Sequence, residues 1–458
     1  MFKISVMRGY LFSSIAVTCA AALALPLASP SGALAERPTA AGGPAIPGST
    51  QSLPLAPLDG DRTLGPSAEQ GLPQSDVRRF SLVGVVWDDP DTELHGRVQV
   101  RTRATGTSRW SDWQDIETHN REHSADLDAA ERTTGRVRGS TAPLWVGDSD
   151  GVEVRVQPGL DEGAEGAEEA EAGVRSGRTG VSEPLPDGLR LELVDPGDDP
   201  PPASLGPLTA ASAASSAVNS DLAPLGATVI PALSRRQTME ALLATRGEDM
   251  ADQRAQPYIG PRPRIVTRRG WRADEKLRER DFAYTKTVKA AFVHHTATGN
   301  TYRCSQASSV IRSIYRYHVK SMRWRDIGYN FLVDKCGNIY EGRAGGVTKP
   351  VMGAHTLGFN TNSMGIAVLG TFGYSRPRGA AVNAIARLTA WKLGIYGANP
   401  AGKTYLKSGG GNLYRKGKNV RLNVISGHRD GFATTCPGGR LYAKLGTART
   451  SSARYQGR

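Results

Sequence analysis

The stretch Ala290-Ala291-Phe292-Val293-His294-His295-Thr296 decides the class of fold. A short apolar run that ends in polar residues is typical of a buried strand. Side chains alternate along a strand, so His294 and His295 should point to opposite faces of the sheet. A second such run, Asn423-Val424-Ile425-Ser426, leads into Gly427-His428. The sequence therefore predicts two buried strands, each with a histidine at its end.

The pattern changes from strand to helix between these two runs. Apolar residues at Val310, Ile311, Ile314 and Tyr315 recur every three or four positions, which predicts an amphipathic helix with Ser305 as its N-cap. Further elements are predicted by the same patterns: strands at 329–333, 338–341 and 366–369, a hairpin turn at 334–337, and a helix at 380–393 with an apolar stripe. Strands and helices that interleave in this way indicate an α/β fold with a mixed central sheet flanked by helices.

A different composition precedes this region. Residues 82–86 form one apolar run, and residues 97–101 and 152–156 alternate between apolar and polar side chains, which predicts a β-rich, sandwich-like domain. By composition the chain divides into these parts: a signal peptide (1–35), a disordered leader (36–78), the β-rich domain (79–195), a flexible Pro/Ala/Ser-rich linker (196–257) with a possible short helix at 236–246, the α/β domain (258–447) and a basic tail (448–458).

Two tryptophans in the β-rich domain allow two interpretations. Trp110 and Trp113 could form a platform for stacking sugars, or they could belong to the core of a small sandwich. We favour the core, since large aromatic side chains dominate the cores of small domains.

The N-terminus predicts export. Lys3 and Arg8 precede an apolar stretch at 10–27, and Ala33-Leu34-Ala35 provides a cleavage site for a signal peptidase. Serine and threonine interruptions disfavour the alternative of a membrane anchor. No later run approaches the roughly 18 apolar residues of a transmembrane helix. With 39% hydrophobic residues, the composition excludes a polytopic membrane protein. From the predicted signal peptide we expect a secreted, wall-associated protein, and we expect it to be a monomer.

The charge is divided unevenly along the chain. Residues 258–458 hold 35 Lys and Arg against 8 Asp and Glu, a net charge of +27, whereas the rest of the chain carries −14. A basic domain attracts polyanions: nucleic acid, an anionic membrane or the anionic polymers of a bacterial wall. Export makes a nucleic-acid partner the weakest of these, and we expect none.

Histidine and cysteine are the candidates for chemistry. Five of the eight histidines lie in the α/β domain, and Cys436 follows His428 by eight residues. Zinc favours histidine nitrogen and cysteine sulfur, and catalytic zinc sites keep a fourth position open. Three cysteines remain after signal cleavage, so two can pair and the third needs another partner. The spacing leaves open both a zinc site and a free buried cysteine among structural histidines.

Four motifs in this region, in this order, resemble those of the peptidoglycan recognition protein and type-2 N-acetylmuramoyl-L-alanine amidase family. They are Phe292-Val293-His294-His295-Thr296, Asp326-Ile327-Gly328-Tyr329-Asn330-Phe331, Gly353-Ala354-His355-Thr356-Leu357-Gly358-Phe359-Asn360, and Gly427-His428-Arg429-Asp430 through Cys436-Pro437-Gly438. The resemblance covers roughly 258–447. The front half resembles the β-domain that precedes such amidases in exported actinobacterial proteins.

The resemblance implies a zinc enzyme that hydrolyses the amide bond between N-acetylmuramic acid and L-alanine in peptidoglycan. It assigns zinc to His294, His428 and Cys436, and catalytic roles to Tyr329 and Thr434. His355, Asn360 and Arg343 match positions in or near the substrate groove. With Cys436 assigned to the metal, Cys304 and Cys336 are left as the expected disulfide.

A non-catalytic protein that binds or senses peptidoglycan is the alternative within this family. Members that bind without cutting usually lack the cysteine ligand, which this sequence keeps. A Gly-Trp pair that often marks a preference for diaminopimelate stems is absent from Glu341-Gly342-Arg343-Ala344-Gly345-Gly346, so the third stem residue is not assigned.

Overall fold

The computed structural model describes residues 48–58, 69–133, 136–159, 183–198, 206–251 and 258–458, without the side chains of 245–251. The predicted signal peptide lies outside the described residues. Within these ranges, no helix has the length and apolar character needed to cross a bilayer.

The front half is β-rich, as the sequence predicts, and its strands form one eight-stranded antiparallel sheet. Its strands run in the order β1-β8-β3-β7-β4-β5, and β2 and β6 also pair with β3. The elements are Ser49–Pro54 (β1), Ala56–Pro57 (β2), Gln70–Trp87 (β3), Gly96–Ala104 (β4), Gln114–Ile116 (β5), Ala130–Thr133 (α1), Gly139–Ser140 (β6), Leu144–Pro158 (β7) and Arg190–Asp195 (β8). Strand β1 and the start of β3 fall in the range predicted as a disordered leader, because pairing with distant strands orders them.

The second part of strand β3, residues 80–87, is buried on both faces. Val83 and Val85 pack in the core of the front half, together with Val152. Leu82 and Val86 point the other way and join a second core that includes Ile311 of the α/β region. This explains why residues 82–86 are continuously apolar, since a strand covered on both faces does not alternate.

Trp110 and Trp113 are outside the core, so the interpretation of them as core residues is wrong. Both rings are partly exposed, and the Arg101 guanidinium lies 5.6 Å from the Trp110 ring centre and 5.1 Å from that of Trp113. Arg155 lies 4.3 Å from the Trp113 ring centre. Stacking on arginine stabilises a tryptophan at the surface without burial in the core.

The back half contains the predicted mixed sheet. The strand order is β17-β11-β14-β12-β13-β10-β9, in which β17, β11, β14 and β12 are parallel neighbours. The strands are Val229–Ile230 (β9), Ile265–Val266 (β10), Ala290–His295 (β11), Phe331–Val333 (β12), Ile339–Glu341 (β13), Ser363–Val368 (β14) and Ile425–Gly427 (β17), with a separate hairpin of Lys403–Lys407 (β15) and Asn419–Asn423 (β16).

Helices cover both faces of this sheet. Ile366 and Val368 pack with the two long helices near the C-terminus, whereas Ala367 packs with the helix that follows β11. The helices after α1 are Ala210–Ala217 (α2), Arg235–Ala251 (α3), Ala307–Arg316 (α4), Gly379–Ile395 (α5), Gly439–Tyr442 (α6) and Leu445–Gln456 (α7). Helix α4 begins later than expected: Ser305 lies in a preceding 3₁₀ turn, and Gln306 occupies the N-cap without a side-chain cap.

The front half packs directly on α4 and the turn after it. Tyr317 Oη donates to the carbonyl oxygens of Val85 and Thr141 at 3.3 and 3.1 Å. Arg312 Nε donates to Pro196 O at 3.0 Å, so the polar side of α4 is buried as well. All described residues accordingly belong to one compact unit.

Parts of the predicted linker and tail are ordered elements. Strand β9 pairs with β10 at the edge of the mixed sheet, and Ile230 is fully buried. Helix α3 spans the short helix that the sequence suggested. Helix α7 contains most of the range predicted as a basic tail. Small residues made these ranges look unstructured, but contacts with the distant sheet and α5 order them.

Cys304 and Cys336 form the expected disulfide, with an S–S distance of 2.03 Å. It joins the turn before α4 to the hairpin turn between β12 and β13 across 32 residues of sequence.

Replacing both cysteines with serine should lower the free energy of unfolding by about 3–4 kcal/mol, because the unfolded chain regains the entropy of that loop. Denaturant unfolding of the oxidised, reduced and double-serine proteins measures the loss. Equal stability of all three would contradict it.

Candidate metal centre

The two strand-end histidines meet because their strands are parallel neighbours. Val293 pairs with Gly427, so the carboxyl ends of β11 and β17 lie at the same edge of the sheet. His294 is in β11 just after this pair, and His428 follows β17 directly. The chain then turns back, with Arg429 N donating to Cys436 O at 3.1 Å, and brings the thiol to the histidines.

Four donor side chains converge at this edge: His294, His428, Cys436 and His123. Their ligand atoms all lie within 4.8 Å of one another, and all four side chains are buried. Cys436 Sγ lies 3.8 Å from His294 Nδ1 and 3.4 Å from His123 Nε2. His428 Nδ1 lies 3.2 Å from His123 Nε2. The fourth donor comes from the front half, between β5 and α1.

These distances fit a tetrahedral zinc site. Zinc binds nitrogen at about 2.0–2.1 Å and sulfur at about 2.3 Å, which separates tetrahedral donors by about 3.3–3.6 Å. The three separations given above, 3.2–3.8 Å, lie close to that range, and all donor pairs lie within 4.8 Å. Three imidazoles and one thiol are also the donors that zinc prefers. The residues present therefore suit zinc.

Burial sets the protonation of the donors. It lowers the pKa of His294 and His428 well below the usual range and that of His123 to about 3, so these rings are neutral, as metal ligands must be. Burial also raises the pKa of the Cys436 thiol well above its usual range. The thiol would have to release its proton when a cation binds.

Thr356 orients the His294 ring from behind. Its Oγ1 lies 3.3 Å from His294 Nε2 and 3.0 Å from His355 Nδ1, and its side chain is fully buried. If Nδ1, which faces the cluster, binds a metal, Nε2 of His294 must carry the ring proton and can donate it to this hydroxyl. Thr356 thus fixes both the tautomer and the direction of His294.

We expect Thr356→Val to weaken zinc binding by about 10–100-fold, because the ring loses the acceptor that orients it. Competition with a chromophoric chelator measures the affinity. Thr389→Val is a matched control, since Thr389 is equally buried but bonds within α5 and to Ser452. Unchanged zinc affinity in Thr356→Val would show that packing alone orients His294.

The two predicted catalytic residues flank the cluster. The Tyr329 ring centre lies 5.6 Å from that of His294, and burial raises the pKa of its phenol, with added effects of Cys436 and Glu122. Thr434 Oγ1 donates to Glu122 Oε1 at 2.7 Å and accepts from Cys436 N at 3.2 Å.

The three predicted groove residues are buried and hydrogen-bonded within the chain. His355 lies behind the cluster, where its Nε2 has no hydrogen-bond partner among the described residues. Asn360 Nδ2 donates to Ser124 O and Asp126 Oδ1 at 2.9 and 2.8 Å. Arg343 donates to both carboxylate oxygens of Glu131. None of the three faces open solvent.

Residues 120–131, which we call the covering segment, lie over this region. Glu131 accepts two bonds from Arg343, at 2.8 and 2.9 Å. Glu122 O accepts from Leu357 N at 2.9 Å. The space left beside the cluster offers only about 10 Å³ to the centre of a water molecule. A wider cleft of about 290 Å³ lies between the start of this segment and residues 432–435.

Sequence reasoning missed His123 and the covering segment. His123 lies outside the range that carried the family resemblance, and it follows no strand or helix pattern. One signal was available in the sequence. Three predicted ligands leave one position of a tetrahedral zinc site, and the front half contains only three histidines that could fill it, namely His95, His119 and His123.

Comparisons with known proteins agree with this architecture. The profile of the N-acetylmuramoyl-L-alanine amidase family matches residues 284–439, and one described as Rv3811 N-terminal galactose-binding domain-like matches residues 38–177. Peptidoglycan-recognition protein SC2 of Drosophila simulans is 32% identical over 159 residues, 34% of this chain and 72% of the relative. The chain belongs to the peptidoglycan recognition protein and type-2 amidase family.

A human relative and a solved structure are also similar to parts of this chain. Human peptidoglycan recognition protein 3 is 34% identical over 122 residues, 27% of this chain and 34% of the relative. The solved structure of wild-type Drosophila PGRP-LB is 25% identical, with 40% of this chain and 91% of that chain covered and a TM-score of 0.32. Membership rests on the sequence relatives. The function of this family member thus concerns peptidoglycan, either its cleavage or its binding.

Proposed function

We propose that the chain is a zinc-dependent N-acetylmuramoyl-L-alanine amidase. The observation that carries the proposal is the meeting of His294, His428 and Cys436 at one sheet edge, next to Tyr329. These three side chains would hold the zinc. A bound zinc ion would supply Lewis acidity toward the scissile carbonyl and an acidified water at neutral pH.

The remaining chemistry falls to protein groups. Tyr329 keeps its phenol proton, since burial raises its pKa, and can donate it to the oxyanion that forms at the carbonyl. Thr434 lies two residues before Cys436, where its hydroxyl could donate to the same oxyanion once it leaves Glu122. Thr356 holds His294 in position throughout.

The substrate, location and partners follow from the same proposal. A chain that acts on the bond between muramic acid and L-alanine must reach the wall, which agrees with the predicted signal peptide at 1–35. We propose a secreted monomer that binds muropeptide stems and the anionic polymers of the wall.

The second candidate is a non-catalytic peptidoglycan-binding or sensing protein. The presence of His123 favours it, because zinc sites with four protein ligands are commonly structural rather than catalytic. The two functions differ in whether any form of the chain cuts peptidoglycan.

Digestion of purified sacculi tests the proposal. The protein is incubated with sacculi with and without a chelator, and released stem peptides are identified by mass spectrometry. We expect the zinc-loaded protein to release stem peptides with a free L-alanine amino group. We expect no release once a chelator has removed the zinc. Release of sugars alone, or binding of the zinc-loaded protein to sacculi without release of stem peptides, would contradict the amidase function.

Charge should recruit the domain to intact walls. Arg415, Lys416 and Lys418 are exposed in the loop between β15 and β16, in a region of net charge +27. We expect binding to walls to weaken steeply between low salt and about 0.5 M salt, because exposed charges are screened beyond roughly 10 Å at 0.1 M. Binding of a small soluble muropeptide should change much less.

Sedimentation with walls over a salt series measures this effect. Replacing the three loop residues with alanine should weaken wall binding more than the same loss of charge at Arg440, Lys444 and Arg454, which are exposed on or beside the C-terminal helices. Equal effects of both triple variants would assign recruitment to the overall charge. Equal salt dependence for walls and small muropeptide would contradict electrostatic recruitment.

A further inference from the structure

His123 places a fourth donor beside the three that the family resemblance assigns to zinc. His294, His428 and Cys436 are three ligands from the α/β region, and His123 Nε2 lies 3.2 Å from His428 Nδ1 and 3.4 Å from Cys436 Sγ. These separations are those of neighbouring donors around one zinc ion. His123 is buried. Its other ring nitrogen, Nδ1, has no hydrogen-bond partner among the described residues.

The covering segment holds His123 in this place from both sides. Asn120 Nδ2 donates to Ser140 Oγ at 2.9 Å and fixes the start of the segment on the front half. Asp126 Oδ1 accepts from Gly358 N and from Asn360 Nδ2, both at 2.8 Å. All of these groups are buried, so their loss would leave polar atoms unpaired. The segment is therefore an integral part of this packed state.

The covering segment also bonds to residues that the family resemblance assigns to the substrate groove and to catalysis. Asn360, Arg343 and Thr434 are each hydrogen-bonded to the covering segment. The remaining space beside the cluster suits about one water molecule, whereas a muropeptide is many times larger. The wider cleft of about 290 Å³ is lined by Glu122 and Thr434 but by none of the four donors, so a muropeptide can reach the donors only if the covering segment moves.

We propose that His123 closes the metal site as a fourth protein ligand, and that the covering segment holds the chain in a latent form until it is displaced. The ligand assignment is independent of the catalytic proposal, whereas latency rests on the proposed amidase function. Departure of His123 would convert a closed site into one with an open position, and departure of the segment would free the groove.

Cobalt substitution tests the ligand assignment without an activity measurement. The full chain is loaded with Co²⁺ and titrated with azide while its visible absorption is recorded. We expect no response in the wild type, where four protein ligands leave no position for azide, and a clear response in His123→Ala. His119→Ala is the matched control, since His119 lies four residues earlier, is exposed and is outside the cluster.

X-ray absorption of the zinc-loaded wild type provides a second measurement that needs no variant. Three histidine nitrogens and one sulfur support the assignment. Two histidine nitrogens, one sulfur and an exchangeable ligand overturn it, as does an azide response of the wild type equal to that of His123→Ala.

Hydrolysis of a soluble muropeptide tests latency. His123→Ala/Asp126→Ala should turn over about tenfold faster or more than the wild type and His119→Ala, because only chains with a displaced segment can bind substrate. Circular dichroism and retained cobalt binding establish that the double variant is folded. A wild type as fast as this variant overturns latency. If neither form cuts and the spectra are as expected, the amidase proposal fails and the fourth ligand stands.

Discussion

Changing Cys436 to serine should reduce bound zinc from about one ion per chain to almost none and abolish hydrolysis, both alone and combined with His123→Ala. A serine hydroxyl does not ionise to replace a thiolate, which supplies the negative charge among three neutral imidazoles. Metal analysis after gel filtration measures zinc, and released stem peptides measure activity. Cys436 is the free cysteine of the described residues, so none of their other side chains offers a thiol to replace it.

The variant should keep its fold, because Cys436 is at the end of a turn and outside the main hydrophobic clusters. Thr435→Ser, at the exposed neighbouring residue, is the control for local disturbance and should retain zinc. Full hydrolysis by a zinc-free Cys436→Ser protein would contradict both the metal site and the proposed mechanism.

Changing Glu131 to alanine should lower the free energy of unfolding by about 3–5 kcal/mol, because it leaves the buried Arg343 guanidinium without its partner. Both side chains are less than 10% exposed and share two hydrogen bonds. The pair joins the covering segment to the α/β region, so the same change should also favour its displacement. Urea unfolding followed by fluorescence measures the loss.

Two variants separate this effect from a general disturbance of the segment. Asp128→Ala removes an exposed pair with Lys416, 64% exposed on each side, and should cost no more than about 1 kcal/mol. Glu131→Met/Arg343→Met removes both charges and should regain much of the stability lost in Glu131→Ala. A loss in Glu131→Ala no larger than that in Asp128→Ala would show that water reaches and solvates Arg343.

Much of the metal site could be predicted because its parts are encoded locally. His294 and His428 each lie at the end of a short run rich in apolar residues, and the shortness of such a run favours a buried strand over a helix. Cys436 follows His428 by only eight residues, so one reversal of the chain brings the two side chains together. The motifs then placed these three residues in one family site, next to Tyr329.

Other features depended on contacts between distant residues. The apolar stripe of α4 could be predicted from the sequence. The burial of its polar side, which includes Arg312, could not, because the front half of the chain covers that side. Strand β9 in the predicted linker pairs only with a strand some 35 residues later. The continuous apolar run at 82–86 was the one local sign that the front half packs against a second layer.

The sequence by itself determined the two β-containing halves, the strand-end histidines and the cysteine that joins them, because hydrophobic periodicity and short spacings act within a few residues. Only the tertiary structure decided that His123 and the covering segment complete and close this site. Their contacts are hydrogen bonds and donor distances between residues more than 200 positions apart, and no periodic pattern encodes such pairs. Burial of polar groups binds the two halves together, since each needs the partner that the other half provides.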